Sequence, residues 1–392
     1  MSSTPHKEKL LAAIENPKSN GDVALLKEAL SAYETWVNKL TKLKSTGQVR
    51  INEMTSLLNQ YKDYLEVDLI ATKGSDFLKR QKGQLKLDNS VMEEFLIHLV
   101  NPSILNNLPK FDLETGPQTA FMSLAFRPSS ITTLNEKPEV ILKVKDQDFT
   151  IGKAIYYKFS SDSTFTAPKT VDGKFYLAVL AAECKINYDK TMFQECAGTA
   201  ARLKQGCPIA KYYALVEYLD MQPEDTRLTE IDNVFLLRKA KRLPFEKRSV
   251  LAEVKAQHKN FPISAEVVGK FANEIQIEKI KNLLIKKVQS GDIGEHFSIS
   301  SFLSKELNKD YSSISRLFSE VEGITIEQFF ILQKIEKVKE LLIYGEMNLN
   351  EISYHLGYSS AAHLSAQFKK VTGLSPREFK NIGGKRKSLD KV

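Results

Sequence analysis

The sequence predicts three successive architectures: a helical N-terminal region, an α/β core, and an all-α domain of two helix-turn-helix units. Three observations carry this reading. Apolar residues recur at helical spacing through the first hundred positions, the pattern turns to strands near residue 138, and an internal repeat of 50 residues occupies the C-terminal part. The expected boundaries are 1–110 and 111–258, a connection over 259–276, then 277–380 and a basic tail over 381–392. A chain of 392 residues is long enough for two or three separate cores.

In the first region Val23, Leu26, Leu30, Tyr33, Val37 and Leu40 step by three and four, as do Ile51, Met54, Leu58, Tyr61 and Leu65. Asn20-Gly21-Asp22 precedes the first run, with Asp22 as its N-cap. A third helix is expected after Asp88-Asn89-Ser90, carrying Val91, Phe95 and Leu99.

The core opens on "EVILKVKDQDFTIGKAIYYKF" (139–159), two β-rich runs around Asp146-Gln147-Asp148. Asp172-Gly173 marks a turn into a strand over 175–186. "KTMFQECAGTAARLKQG" (190–206) reads as a helix whose Ala197, Gly198 and Ala200 permit close approach to a sheet, with Gly206 as its stop. Strands follow over 212–219 and 233–238, so the middle of the chain is α/β.

Composition narrows the function classes. Hydrophobic residues at 42% and charged residues at 27% suit a water-soluble globular chain. The opening Met1-Ser2-Ser3-Thr4-Pro5-His6-Lys7 holds no apolar signal region, and no apolar run is long enough to span a bilayer, so a cytoplasmic protein without membrane contact is expected. A net charge of +8 hints at a polyanionic partner. Cys184, Cys196 and Cys207 have neither zinc spacing nor a disulfide-framework count, and read as packed thiols in a reducing compartment.

The chemistry-bearing stretch is the end of the 175–186 strand, Glu183-Cys184-Lys185. Residues i and i+2 share a strand face, so Glu183 and Lys185 project together while Cys184 turns into the opposite layer. A carboxylate can hold magnesium, and an ammonium beside it can orient water or steady charge on a phosphate. Glu-x-Lys recurs at Glu253 and at Glu378, and a strand-edge ion pair of no function is the competing reading. A second carboxylate is needed for a metal. Asp146 and Asp148 share one face, and Asp148 is preferred because it starts a run able to pair beside the Glu183 strand; Asp162 and Asp172 sit in turns.

With those residues in place, "KDQDF", "LAVLAAECKINYDKTMFQECAGTAARLKQG" and "YYALVEYLDMQPEDTRL" resemble the PD-(D/E)XK nuclease superfamily, and within it type II restriction endonucleases of the Bpu-ten-I family, over roughly residues 70–250. The resemblance implies an α/β restriction-endonuclease-like core and magnesium-dependent, site-specific hydrolysis of double-stranded DNA. It implies Asp148 and Glu183 as metal ligands, Lys185 as the catalytic lysine, and a supporting contact from Gln194 or Glu195. The proline that names the superfamily precedes neither aspartate, so Asp146 stays open beside Asp148 as the ligand. Implied partners are a second endonuclease subunit or a second copy of the chain, and a cognate DNA methyltransferase.

In the C-terminal repeat, "FSEVEGITIEQF" (318–329) and "FKKVTGLSPREF" (368–379) align at an offset of 50 residues. Each copy has a short helix, a turn, and a second helix opening on small residues, which leaves little bulk between backbone and groove floor. Residues 277–380, and above all "EISYHLGYSSAAHLSAQFKKVTGLSPREFK", resemble the DNA-binding domain of AraC-type regulators. By that resemblance Ser312, Ser313 and Arg316 face the groove from one unit, and Ser360, Ala361, His363, Ala366 and Gln367 from the other. Gln333 and Lys334 stand in the linking helix where an arginine is common. The basic runs 79–86 and 238–248 and the tail read either as nucleic-acid contacts or as solvated faces. The competing function is an AraC-type transcription regulator with a non-catalytic N-terminal domain.

Overall fold

The computed structural model describes residues 4–16, 20–75, 87–100, 104, 113–294, 296–345 and 347–382. The chain divides into two compact units, Met1–Ala272 and Asn273–Val392. The basic run 79–86 and the tail beyond residue 382 lie outside the described residues. Among the described residues no helix is long and apolar enough to cross a membrane.

In the first unit the apolar periodicity produces helices α1 (Pro5–Glu15), α2 (Val23–Lys42) and α3 (Gly47–Asp63), a π-helical stretch (Tyr64–Ala71) and α4 (Leu87–Val100). The two long runs thus fold as expected. Asp22 stands at the N-cap position of α2, but its carboxylate accepts from the Ser75 backbone N at 3.0 Å and makes no cap bond. The third helix begins before Asp88-Asn89-Ser90 rather than after it. No run anticipated α1, whose buried face is only Pro5, His6, Leu10 and Ala13.

Among the described residues five strands form one mixed sheet in the order β1 (Glu114–Phe126), β2 (Val140–Ser160), β3 (Thr170–Tyr188), β4 (Lys211–Leu219), β5 (Asn233–Leu236). The first three strands pair antiparallel in sequence, whereas β3–β4 and β4–β5 are parallel. Helix α5 (Lys190–Gly206) makes the β3-to-β4 crossover and begins at Asp189, whose carboxylate accepts from the Met192 backbone N at 3.0 Å. Its sheet-facing residues Phe193, Cys196, Ala200 and Leu203 pack on Ala178, Ala181, Ala214 and Val216.

Several expectations need correction here. Strand β1 was not anticipated, because Gly116-Pro117 reads as a turn; a register shift between Gly116 and Gln118 lets the ladder pass the proline. Strand β2 is continuous through Asp146-Gln147-Asp148, where two runs were expected. The close approach of α5 falls on a different glycine. A Cβ at Gly198 would meet only Arg202 at 3.8 Å, whereas one at Gly206 would overlap the Met122 carbonyl of β1. Residues 259–276 are not a plain connection. After α6 (Leu251–Asn260) the chain re-enters a helix, α7 (Ala265–Gln289), because Val268, Phe271, Ala272 and Ile275 form a buried stripe at helical spacing. The Phe271 ring lies 5.4 Å from Phe235 and 5.8 Å from Tyr213.

The second unit contains α8 (Ile299–Leu307), α9 (Tyr311–Glu322), α10 (Ile326–Tyr344), α11 (Leu349–His355), α12 (Ala361–Thr372) and α13 (Pro376–Asn381). The repeat is structural as well as textual. Gly323 and Gly373 end α9 and α12 at φ values of 70° and 79°, a left-handed conformation that glycine adopts at little cost. Thr325 and Ser375 then open the next helices with capping boxes, and Phe318–Phe329 and Phe368–Phe379 each meet at 5.5 Å.

Candidate active site

Strand register assembles the site. Phe149 pairs with Ala182 and Thr150 with Ala181, so Asp148 comes level with Glu183 on the adjacent strand. The Cys184 backbone N donates to Asp148 Oδ2 at 2.8 Å, which ties the aspartate to the strand that carries the other two residues. Lys185 Nζ donates to Glu183 Oε1 at 2.8 Å. Asp148, Glu183 and Lys185 therefore come together, and Cys184 is buried in the opposite layer. Asp146 lies farther along β2, is exposed, and accepts from Thr119 Oγ1 at 2.6 Å.

The Glu183 carboxylate is bound at both ends. Its Oε2 accepts from the Tyr212 hydroxyl at the start of β4, and Cys196 Sγ of α5 lies 3.8 Å from the same oxygen. Burial works against the charge of Glu183, yet the Lys185 ammonium and the hydrogen bonds from Lys185 and Tyr212 hold its carboxyl below the usual carboxylate range. Burial likewise opposes the Lys185 ammonium, but Glu183 raises its pKa above the ordinary lysine value. The Cys196 thiol is pushed up to about 12, first by burial and then by Glu183, and stays neutral.

On α5, Gln194 is exposed and lies about 200° around the helix from Cys196. Glu195 instead makes an ion pair with Lys145 at 3.4 Å, and Lys145 Nζ donates to Thr199 Oγ1 at 2.6 Å. Of the two alternatives on this helix, only Glu195 turns toward β2. Sequence reading missed Tyr212, Cys196 and Lys145. Their relation to Glu183 is carried by sheet register and helix phase, and no local motif announces it.

Two carboxylates and a lysine are a small donor set. Among the described residues no group of three or more His, Cys, Asp or Glu side chains is arranged to hold a metal ion. Two carboxylate oxygens nonetheless fit magnesium, which keeps several waters and commonly takes one or two carboxylates plus phosphate oxygens.

A second ionic cluster lies on the other face of the sheet. Glu217 of β4 meets Lys62 Nζ at 2.6 Å and Arg238 Nε at 3.0 Å, and Lys62 also meets Glu66 at 3.0 Å. Arg238 donates to the Phe261 carbonyl at 2.7 Å, and His258 Nδ1 lies 2.7 Å from Asp63 Oδ1. Arg238, the first residue of the 238–248 basic run, is thus wholly buried and belongs to the interior, not to a solvated or phosphate-facing surface.

In the second unit the recognition-helix residues separate by exposure. Ser312, Ser313 and Arg316 share an exposed face of α9, opposite buried Ile314 and Phe318. On α12, Ser360, His363 and Ala366 are exposed and Ala361 and Gln367 half-buried, opposite Leu364 and Phe368. Part of this polar chemistry is already engaged in capping. The Ser312 hydroxyl donates to Asp310, and Ser360 Oγ accepts from the His363 backbone N at 3.1 Å. Lys334 of the linking helix faces inward. It is buried on α10 with Nζ 3.6 Å from the centroid of the Tyr358 ring, and burial lowers its pKa to about 8.

The family model described as Bpu10I restriction endonuclease matches residues 84–290, over half of the chain. The chain belongs to the Bpu10I restriction endonuclease family. A helix-turn-helix model matches residues 303–382, so this family member carries an AraC-type helix-turn-helix domain behind its restriction-endonuclease domain. The xylose operon regulatory protein of Escherichia coli (strain K12) is 34% identical over 71 residues, 18% of this chain and 18% of that protein. The chain therefore spans less than a fifth of that relative's length. The uncharacterized transcriptional regulatory protein YesN of Bacillus subtilis (strain 168) is 23% identical over 256 residues, 63% of this chain and 67% of its own length. Among solved structures, the native BbvCI A2B2 tetramer is similar at 19% identity and a TM-score of 0.46, covering 65% of this chain and 95% of that one.

Proposed function

We propose that the Met1–Ala272 unit is a magnesium-dependent type II endonuclease that hydrolyses phosphodiester bonds of double-stranded DNA at specific sites. The observation that carries this reading is the level placement of Asp148 and Glu183 on neighbouring strands, with Lys185 at 2.8 Å from Glu183. Asp148 and Glu183 would hold the metal, with Asp146 the second candidate on β2. When bound, magnesium supplies Lewis-acid stabilisation of the phosphate and lowers the pKa of a bound water. Lys185 is held charged by Glu183, so it offers a fixed ammonium that orients the attacking water and offsets negative charge gathering on the phosphate oxygens. The water oxygen bonds to phosphorus, the bridging oxygen leaves, and the water's protons end on the two new termini.

The Asn273–Val392 unit would bind duplex DNA through the exposed faces of α9 and α12 and so add affinity or site choice. Cleavage of mixed-sequence DNA by the purified chain, with and without magnesium, tests the central claim. Lys185→Ala should lower cleavage by about 10²-fold or more while leaving DNA binding unchanged. Specific binding with no cleavage under any divalent ion would favour the transcription-regulator reading instead. A fragment beginning at Ala265 should bind duplex alone, with affinity falling steeply as salt rises. A folded fragment that binds no DNA at low salt would make this unit a protein-interaction module.

A further inference from the structure

The two oxygens of Glu183 face different surroundings. Oε1 meets the mostly buried but partly accessible Lys185, while Oε2 points into the core between β4 and α5, onto the Tyr212 hydroxyl and toward the Cys196 thiol. Tyr212 has little freedom to move. It is fully buried, and its ladder position is opposite Ala181. Its backbone N donates to Asp232 Oδ2 at 2.8 Å, and that carboxylate is itself held by Lys204 at 2.9 Å and Lys211 at 3.0 Å. The hydroxyl is therefore delivered to Oε2 by a braced strand end.

We propose that Tyr212, with Cys196 behind it, is a positioning residue that ties up Oε2 so that Glu183 presents a single oxygen, Oε1, to the site. The inference rests on the metal reading above and deepens it. A carboxylate limited to one oxygen suits a small ion with strict octahedral geometry such as magnesium, whereas calcium takes carboxylates through both oxygens readily. Tyr212 then biases the site toward the smaller ion. If the hydroxyl merely needed a buried partner, its removal would affect folding and not the choice of ion.

The test uses the full chain, as wild type and as Tyr212→Phe, titrated calorimetrically with magnesium and with calcium. Magnesium affinity should fall about tenfold or more, as is usual when a group behind a metal ligand is removed. Calcium affinity should fall less, and in cleavage assays half-saturating magnesium should rise. An unchanged magnesium-to-calcium ratio in a folded variant overturns the proposal. Should Tyr212→Phe fail to fold, Cys196→Ala removes the second neighbour of the same oxygen. A shift of the ratio in the same direction supports the assignment, and no shift overturns it. A wild type that binds neither ion sinks the metal reading, and unfolding equilibria then decide the positioning role alone. The effects of Tyr212→Phe and Glu183→Gln should depart from simple multiplication by about threefold or more, and multiplicative effects overturn it.

Discussion

Glu183 and Glu217 stand on neighbouring parallel strands, and the molecule treats them in opposite ways. Register sets Glu183 beside Ala214, three residues before Glu217, so the two carboxylates face opposite sides of the sheet. Glu217 meets a cation on each oxygen, and those cations are closed in turn by Glu66 and by the Phe261 carbonyl. Glu183 meets one cation, one hydroxyl and one distant thiol, and its cation keeps a partly open side. The difference teaches how to tell a structural buried acid from a working one. The first has its charge matched several layers deep, whereas the second leaves capacity on the side that solvent or a ligand can reach.

The largest expected effect tests the Glu217 side. Glu217→Gln leaves Lys62 and Arg238 buried without a full countercharge, and should cost about 3–5 kcal/mol in urea unfolding. The folded fraction should cleave DNA at the wild-type rate; a specific loss of cleavage would break the contrast. Glu183→Gln should behave in the reverse manner. Its neighbours keep an oxygen to bond and Lys185 can hydrate, so stability should change by less than about 1.5 kcal/mol while cleavage falls about 10²-fold or more. Equal destabilisation by the two substitutions would mean that both carboxylates are scaffolding.

The smallest effect concerns pH. Burial works against a charged His258, but hydrogen bonds to Asp63 and Glu66 raise its pKa above the ordinary value of 6.5. A raised folded pKa stabilises fully below the unfolded value, and this contribution disappears as pH climbs through the folded one. The stability difference between wild type and His258→Asn should therefore shrink as pH rises above the ordinary histidine value of 6.5. Subtracting the variant matters, because His6 runs the other way. Burial, then Lys62, lowers its pKa to about 3, so the neutral ring favours folding and this gain fades as pH drops below 6.5. A difference that stays flat with pH would remove His258 from the Glu217 cluster.

Much of this arrangement was legible in the chain and part of it could not be. The alternation around Glu183-Cys184-Lys185 announced two side chains on one face and a thiol on the other, since a period of two needs no partner strand to be read. The bounds of α5 were equally plain, because the stretch 190–206 with Gly206 as its stop coincides with the observed Lys190–Gly206. The preference for Asp148 depends on its run pairing beside β3, a relation carried by strand register and not by local sequence. Strand β1 was hidden by Gly116-Pro117, whose local meaning is a turn until a bulge is allowed. The cluster around Glu217 joins residues as far apart as 62, 217 and 238, and no window of sequence displays such a meeting. Arg238 misled for the same reason, because a cation at the head of a basic run looks solvated until its burial is known.

Gly206 gives the sheet a constraint of a different kind. Its backbone lies so near the Met122 carbonyl that even a methyl group would force α5 away from β1. A helix moves as a rod, and Cys196 sits ten residues back along it, about 15 Å, against Glu183. A comprehensive mutational scan of this chain should find position 206 with a vocabulary of one letter. Its intolerance would record the tilt of a lever whose other end rests on the acid.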